Sequence, residues 1–258
     1  MQAKQVMESE VYTPQMGDMH IKETAKLLNI IFVVDVSLSM KNEGKIDVIN
    51  EIIYKVVSEL KQLYSDIPEF EIHVAIMSFA ENPEWVVLPT SIMDYMHKKI
   101  ICRDGIANFG KALKELGEKL SRNEFMAHIG GIARPVIMLM TDDFSFFAPE
   151  DDYQIEIDKL LKNGWFNHSL RYLIQIGNGS NAGTISEEMK KFVNFQENAV
   201  VVNLSIETLT DKVKNILLEG MQPKSLSDKG VSKREKIEEN VEFEGGDWDI
   251  DDWNNSFI

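Results

Sequence analysis

An aspartate and two serines spaced two apart, Asp35, Ser37 and Ser39, close the apolar run Asn29-Ile30-Ile31-Phe32-Val33-Val34. Carboxylate and hydroxyl oxygens are hard donors, and a set of three suits a divalent cation of the magnesium, calcium or manganese type. The bland alternative is that the same three side chains cap the following helix and hydrogen-bond their own loop.

The elements needed to position these oxygens are legible around them. The run before Asp35 has the length and β-branched composition of a strand buried on both faces, as in a parallel sheet. Lys45 to Tyr64 follows, with Ile46, Ile49, Ile52, Ile53, Val56, Val57, Leu60 and Leu63 at helical spacing. The three oxygens therefore fall on the loop that leaves the carboxyl end of a strand, the edge at which open α/β sheets bind ligands.

Further along, Phe70–Phe79 alternates as a second strand. Trp85–Leu88 reads as a short third strand, joined through Glu81-Asn82-Pro83 as a hairpin, which puts an antiparallel strand at one edge. Ser91–Cys102 reads as a short helix or an irregular crossing, and residues 105–110 as a loop into a helix over Phe109–Ser121. Val136–Met140 is a buried strand ending in Thr141-Asp142-Asp143. A helix over Asp152–Lys162 is stopped by Asn163-Gly164, with Trp165-Phe166 as a lid over the sheet edge. Leu170–Ile176 and Val200–Val202 read as strands, Ser186–Phe195 and Ser205–Leu218 as helices. The alternation gives an α/β fold: a doubly wound, mostly parallel sheet with one antiparallel edge strand and helices on both faces.

Composition narrows the function classes. The chain has 258 residues, 44% of them hydrophobic, and a net charge of -15. That charge disfavours nucleic acid and anionic membrane surfaces as partners. The single cysteine, Cys102, allows no internal disulfide and fits a reducing compartment. Residues 1–25 form a polar extension without a secretory signal, no window has the apolar length of a membrane span, and a cytoplasmic location is expected. No G-x-x-x-x-G-K-[ST] loop occurs, and the glycines of residues 177–183 lack dinucleotide spacing. The five histidines are scattered without metal-ligand pairing.

With these residues in view, Asp35-Val36-Ser37-Leu38-Ser39 resembles the DxSxS signature of the von Willebrand factor A (VWA) domain, and Thr141-Asp142 resembles that family's later strand-end aspartate. The likeness extends over residues 28–218 and implies the Rossmann-like VWA fold. Within the family, Ser78-Phe79-Ala80, Trp85 to Ser91, Gly110-Lys111-Ala112-Leu113 and Arg134-Pro135 resemble the TerY group of the bacterial tellurite-resistance system. The resemblance implies a metal-ion-dependent adhesion site: Ser37 and Ser39 as direct ligands, Asp35 and Asp142 acting through water, and an open position for a partner's carboxylate. Magnesium keeps water in most of its octahedral positions and is the first choice, with manganese or calcium as alternatives. One element of the pattern is missing. The family's middle-loop threonine is here Ala107, whose methyl group cannot coordinate; Asp104 and Asn108 flank the gap as possible oxygen donors. Leu38 and Asp143 stand where the family has glycines.

Residues 221–258 change character, being charged and without periodicity, and read as a disordered tail. Trp248, Ile250, Trp253 and Phe257 stand among acids there, the pattern of a linear segment that docks in a partner's groove. The sequence thus supports a non-enzymatic interaction module, spanning residues 26–220, that takes a protein partner on its metal-bearing face. From the resemblance comes a bacterial stress or phosphorylation-signalling setting with kinase or phosphatase components. The alternatives are an adaptor working through its tail, and a metal-dependent phosphohydrolase or nucleotide-binding protein.

Overall fold

Every strand of the sheet is placed by reference to β1, Lys26–Asp35, whose last nine residues are all buried. The computed structural model describes residues 25–142, 152–176, 190–194 and 199–202, with the isolated positions Asp211, Asn215 and Leu218. β2 (Phe70–Phe79), β3 (Pro83–Ser91), β4 (Val136–Thr141), β5 (Leu170–Ile176) and β6 (Ala199–Val202) complete a six-stranded sheet of order β3-β2-β1-β4-β5-β6. All neighbours are parallel except β2 and β3. β3 is the antiparallel edge expected from the hairpin, but longer than Trp85–Leu88. Its Pro83 and Pro89 are tolerated because an edge strand has one side with no ladder to serve.

The chain leaves β1 to build β2 and β3 on one side, then returns to build β4 on the other. The strand order therefore reverses between β1 and β4, where Val34 lies opposite Met140. Loops leaving the two strands diverge at such a point and open a crevice. Asp35 and Asp142 stand at its two lips.

Apolar faces explain the layers. Alternate strand residues point to opposite sides, and Ile31, Val33, Ala75, Met77, Ile137, Leu139 and Leu173 share one core with Phe109, Ala112, Leu113 and Leu116 of α2 (Phe109–Lys119) and with Ile157 and Leu160 of α3 (Tyr153–Leu160). The other parity of β1, Leu28, Ile30, Phe32 and Val34, is also fully buried. The apolar stripe outside the first core belongs to α1 (Lys45–Leu63), with Ile49, Ile52, Ile53, Val56 and Leu60 at no exposure. Gly117 lets α2 and α3 approach closely, since a Cβ there would sit 2.9 Å from Leu160 Cδ1.

Two expectations are corrected. Asn163-Gly164 does not simply stop a helix: Asn163 Oδ1 accepts from Phe166 N at 3.0 Å and caps a new one, α4 (Gly164–His168). Trp165-Phe166 is not a lid either. Phe166 is fully buried against Phe192, ring centroids 5.6 Å apart, and the Arg171 guanidinium lies 4.2 Å over its ring. Burial pulls Arg171 down to about 10, and its Nη1 donates to the Phe166 carbonyl at 3.2 Å. Between Ser91 and Cys102 the chain takes the irregular course, turns at 92–94 followed by non-repetitive backbone. The Ser205–Leu218 helix is described only at Asp211, Asn215 and Leu218, which are helical, and the Ser186–Phe195 helix only at 190–194, of which Lys190 is helical. Residues 1–24, Asp143, the glycine-rich loop 177–183 and the tail 221–258 lie outside the described residues. No helix among the described residues is long and apolar enough to cross a membrane.

Candidate metal centre

Four oxygen-bearing side chains from two strand ends converge, as the pattern required. Ser37 Oγ and Ser39 Oγ are 3.1 Å apart, and Ser39 Oγ donates to Asp142 Oδ1 at 3.0 Å. Asp35 sits beneath them, almost fully buried. Its Oδ1 accepts from the Ser37 backbone N–H at 2.8 Å, and its Oδ2 from Thr141 Oγ1 at 2.7 Å. Burial pushes the Asp35 carboxyl up from its ordinary range. The hydrogen bonds from Thr141 and Ser37 pull the other way, and the Asp142 charge adds to the rise.

The loop is held by backbone bonds to its neighbours. Val36 N–H donates to the Phe79 carbonyl, Arg103 N–H to the Val36 carbonyl at 2.7 Å, and Leu38 N–H to the Gly105 carbonyl. Gly105 has φ +113, a conformation open to glycine and strained for other residues. Residues 38–44 then form a tight 3-10 turn interrupted by a kink, and Glu43 and Gly44 both take positive φ, at +56 and +68. This turn aims Lys45, the first residue of α1, back across the crevice. Its Nζ donates to Asp142 Oδ2 at 2.8 Å, with the side chains 17% and 5% exposed. Gln175 Nε2 donates to the Asp142 carbonyl at 3.1 Å and fixes the end of β4.

Two participants therefore escaped the sequence reading. In the sequence Thr141 stands out only as part of a strand-end match, and Lys45 only as the start of a helix. A signal for Lys45 did exist: a lysine at the first helical position opposes the helix dipole, so a nearby carboxylate is the natural reason for its presence.

The oxygens fit a divalent ion. Adjacent ligands of an octahedral magnesium, at about 2.05 Å from the ion, are about 2.9 Å apart. The Ser37–Ser39 separation of 3.1 Å is close to that edge, and so is the 3.0 Å from Ser39 Oγ to Asp142 Oδ1, which sets Asp142 nearer than the water-mediated role that the resemblance implies. The middle loop adds nothing in place of the missing threonine. Ala107 is buried, and Asn108 is corrected from a possible donor to a cap: its Oδ1 accepts from Lys111 N at 2.9 Å at the start of α2. Asp104 is exposed. Among the described residues no three His, Cys, Asp or Glu side chains form a metal-holding group; here hydroxyls stand in place of the further acids.

The rim is apolar and of mixed charge: Asp47 and Asp104 line it beside its cations, and Lys99 Nζ lies 3.1 Å from Asp47 Oδ1. Leu38, Ile101 and Ile106 are exposed. Leu38 and Ile101, with Lys41, Lys99, Cys102 and Arg103, line a shallow pocket of about 250 Å³. Burial, with the charges of Asp35, Asp47 and Asp142, pushes the Cys102 thiol up. Arg103 is committed to structure, with Nη2 donating to the carbonyls of Ser78 and Asn82.

Residues 30–145 match the von Willebrand factor type A domain family. No curated protein matches the sequence. Among solved structures, proximal thread matrix protein 1 from the mussel byssus is similar at 16% identity and TM-score 0.54, over 75% of this chain and 49% of that one. The same byssus protein with a zinc-occupied MIDAS motif gives 15% identity and TM-score 0.51, over 77% and 46%. The pilus adhesin SpaC from Lactobacillus rhamnosus GG, in an open conformation, gives 10% and 0.57, over 76% and 30%. These likenesses are of fold, and this chain spans half or less of the length of each.

Proposed function

We propose that this protein is a non-enzymatic interaction module which captures a protein partner at the carboxyl edge of its sheet, through a divalent cation held by Ser37, Ser39 and Asp142 above the buried Asp35. The observation carrying this reading is the convergence of the outer oxygens, with Ser39 Oγ 3.1 Å from Ser37 Oγ and 3.0 Å from Asp142 Oδ1, each close to the edge length of an octahedral site. A zinc-occupied MIDAS in a fold neighbour supports it. Magnesium suits the all-oxygen set, with manganese or calcium as alternatives.

When bound, a divalent ion supplies an open coordination position for a partner's carboxylate. The chain's own residues do the rest. Thr141 and the Ser37 N–H hold Asp35 in a fixed orientation, the Gln175 amide holds the Asp142 backbone, and Leu38, Ile101 and Ile106 offer apolar contact around the rim. The partner chemistry that fits is an acidic side chain flanked by apolar residues. The TerY resemblance supports a setting in bacterial stress or phosphorylation signalling beside kinase or phosphatase components, and the single cysteine supports a cytoplasmic location.

Calorimetric titration with MgCl2 and MnCl2 tests the metal. Saturable binding by wild type, lost in Ser37→Ala/Ser39→Ala protein that keeps its fold, is the expected result. Binding unchanged in that variant sinks the reading.

A second reading draws on Ala107, which leaves the site one hydroxyl short. In it, the apolar residues Trp248, Ile250, Trp253 and Phe257 carry partner capture. Deletion of residues 245–258 then abolishes capture while chelation does not.

A further inference from the structure

The candidate site holds two acids and already contains one cation of its own. Lys45 Nζ lies 2.8 Å from Asp142 Oδ2, in a pair only 17% and 5% exposed. Three observations argue that this contact is built in. Lys45 opens α1, where the helix dipole disfavours positive charge. The turn delivering it contains Glu43, the one non-glycine with positive φ among the described residues, and strain of that kind persists where surrounding structure demands it. The acid it meets is also the one whose other oxygen takes the Ser39 hydroxyl. A single carboxylate thus serves both the lysine and the oxygen cluster.

We infer that Lys45 is a tethered counter-cation which keeps the oxygen cluster assembled without metal and sets the affinity of the site for a divalent ion by competing for Asp142. This inference rests on the metal-binding reading above and deepens it. An ammonium beside Asp142 neutralises part of the charge that attracts the ion and repels the ion directly. Loading therefore draws Asp142 away from Lys45 and frees the ammonium toward solvent. With Ala107 contributing no hydroxyl, the balance favours the lysine-bound form at low metal. The site then responds to divalent concentration over a range set by one residue, not by its ligands alone.

Two measurements on the full chain test this. In calorimetric titration with MnCl2, Lys45→Met is expected to bind about tenfold more tightly than wild type, and Lys45→Arg, which keeps the charge, to stay near wild type. In the second, wild-type protein is treated briefly with acetic anhydride, with chelator or with saturating MnCl2, and modification at each lysine is read by mass spectrometry. Lys45 is expected to become several-fold more reactive with Mn2+ while Lys55 and Lys159 do not change. That experiment needs no variant and stands even if Lys45→Met fails to fold. Equal Mn2+ affinity in wild type and Lys45→Met, or Lys45 reactivity unchanged by Mn2+, overturns this inference alone. Absence of Mn2+ binding by every form overturns the metal-binding reading together with it.

Discussion

Each end of the central sheet is organised by a carboxylate, and the two are held in opposite ways. At the carboxyl end stand Asp35 and Asp142; at the amino end stands Glu71, opposite Leu27 in the β1–β2 register. Eight residues of paired strand separate Glu71 from Phe79, the partner of Asp35, a distance of about 26 Å. His73 Nε2 lies 2.8 Å from one Glu71 oxygen and His128 Nε2 lies 3.1 Å from the other. Burial pushes Glu71 up, but hydrogen bonds and charge from His73 and His128 together outweigh it and hold the carboxyl below its usual 4.5. For Asp35 burial wins, and the carboxyl sits above its usual 3.8.

The signs have opposite consequences. A group with a lowered folded pKa stabilises the fold above its unfolded value and loses that contribution as pH falls through the folded value, so Glu71 supports the structure near neutrality. A group with a raised folded pKa contributes its stability below the unfolded value and loses it as pH rises through the folded one, so ionised Asp35 is a cost near neutrality. An acid fully matched by its neighbours is finished structure. An acid kept at a cost, beneath hydroxyls that already accept and donate among themselves, is the kind that a bound cation would offset.

Three substitutions put this contrast under pressure. Asp142→Ala removes the partner of a largely buried lysine and the acceptor of Ser39, and is expected to cost about 3 kcal/mol in urea denaturation. A loss near zero would mean that the Lys45–Asp142 pair is a surface contact. Thr141→Val keeps the volume but takes the donor from Asp35 Oδ2, so a loss of about 1–2 kcal/mol is expected near pH 7. The loss should shrink in acid, as Asp35 protonates; a pH-independent loss would instead point to packing. Glu71→Gln, at the other end, is expected to cost under about 1 kcal/mol, because the side chain is one-third exposed. That difference should close as pH falls below 4.5, and Mn2+ affinity should not change. An altered affinity would break the separation of the two ends.

Much of the fold was legible in the sequence because its strands are buried on both faces and so read as unbroken apolar runs, β1 and β4 most clearly. The hairpin was legible from Pro83 and its neighbours. α4 was not: five residues carry no periodicity, and Asn163-Gly164 looks alike whether it ends one helix or caps the next. At the site, Asp35, Ser37 and Ser39 were legible because they are close in sequence, and Asp142 because a buried strand stops there. Lys45 and Thr141 act through bonds across 97 and 106 residues, and apart from the unfavourable placing of Lys45 at a helix start no local pattern marks such partners. Asn108 was misassigned because a cap and a ligand call for the same side-chain oxygen.

The hydrogen bond from Thr141 to Asp35 joins residues 106 apart in the chain, and the Lys45 and Ser39 contacts to Asp142 span nearly as far. Contacts of that separation form late, after the entropy of closing a long loop has been overcome. During synthesis, the DxSxS loop and α1 emerge well before β4, so a chain interrupted before residue 136 carries Asp35, Ser37 and Ser39 but neither Asp142 nor the Thr141 donor, and has no complete site. Anything that binds at this edge consequently selects chains whose sheet is complete and stabilises them by mass action. Under the proposed function, recognition at the crevice doubles as a checkpoint on folding.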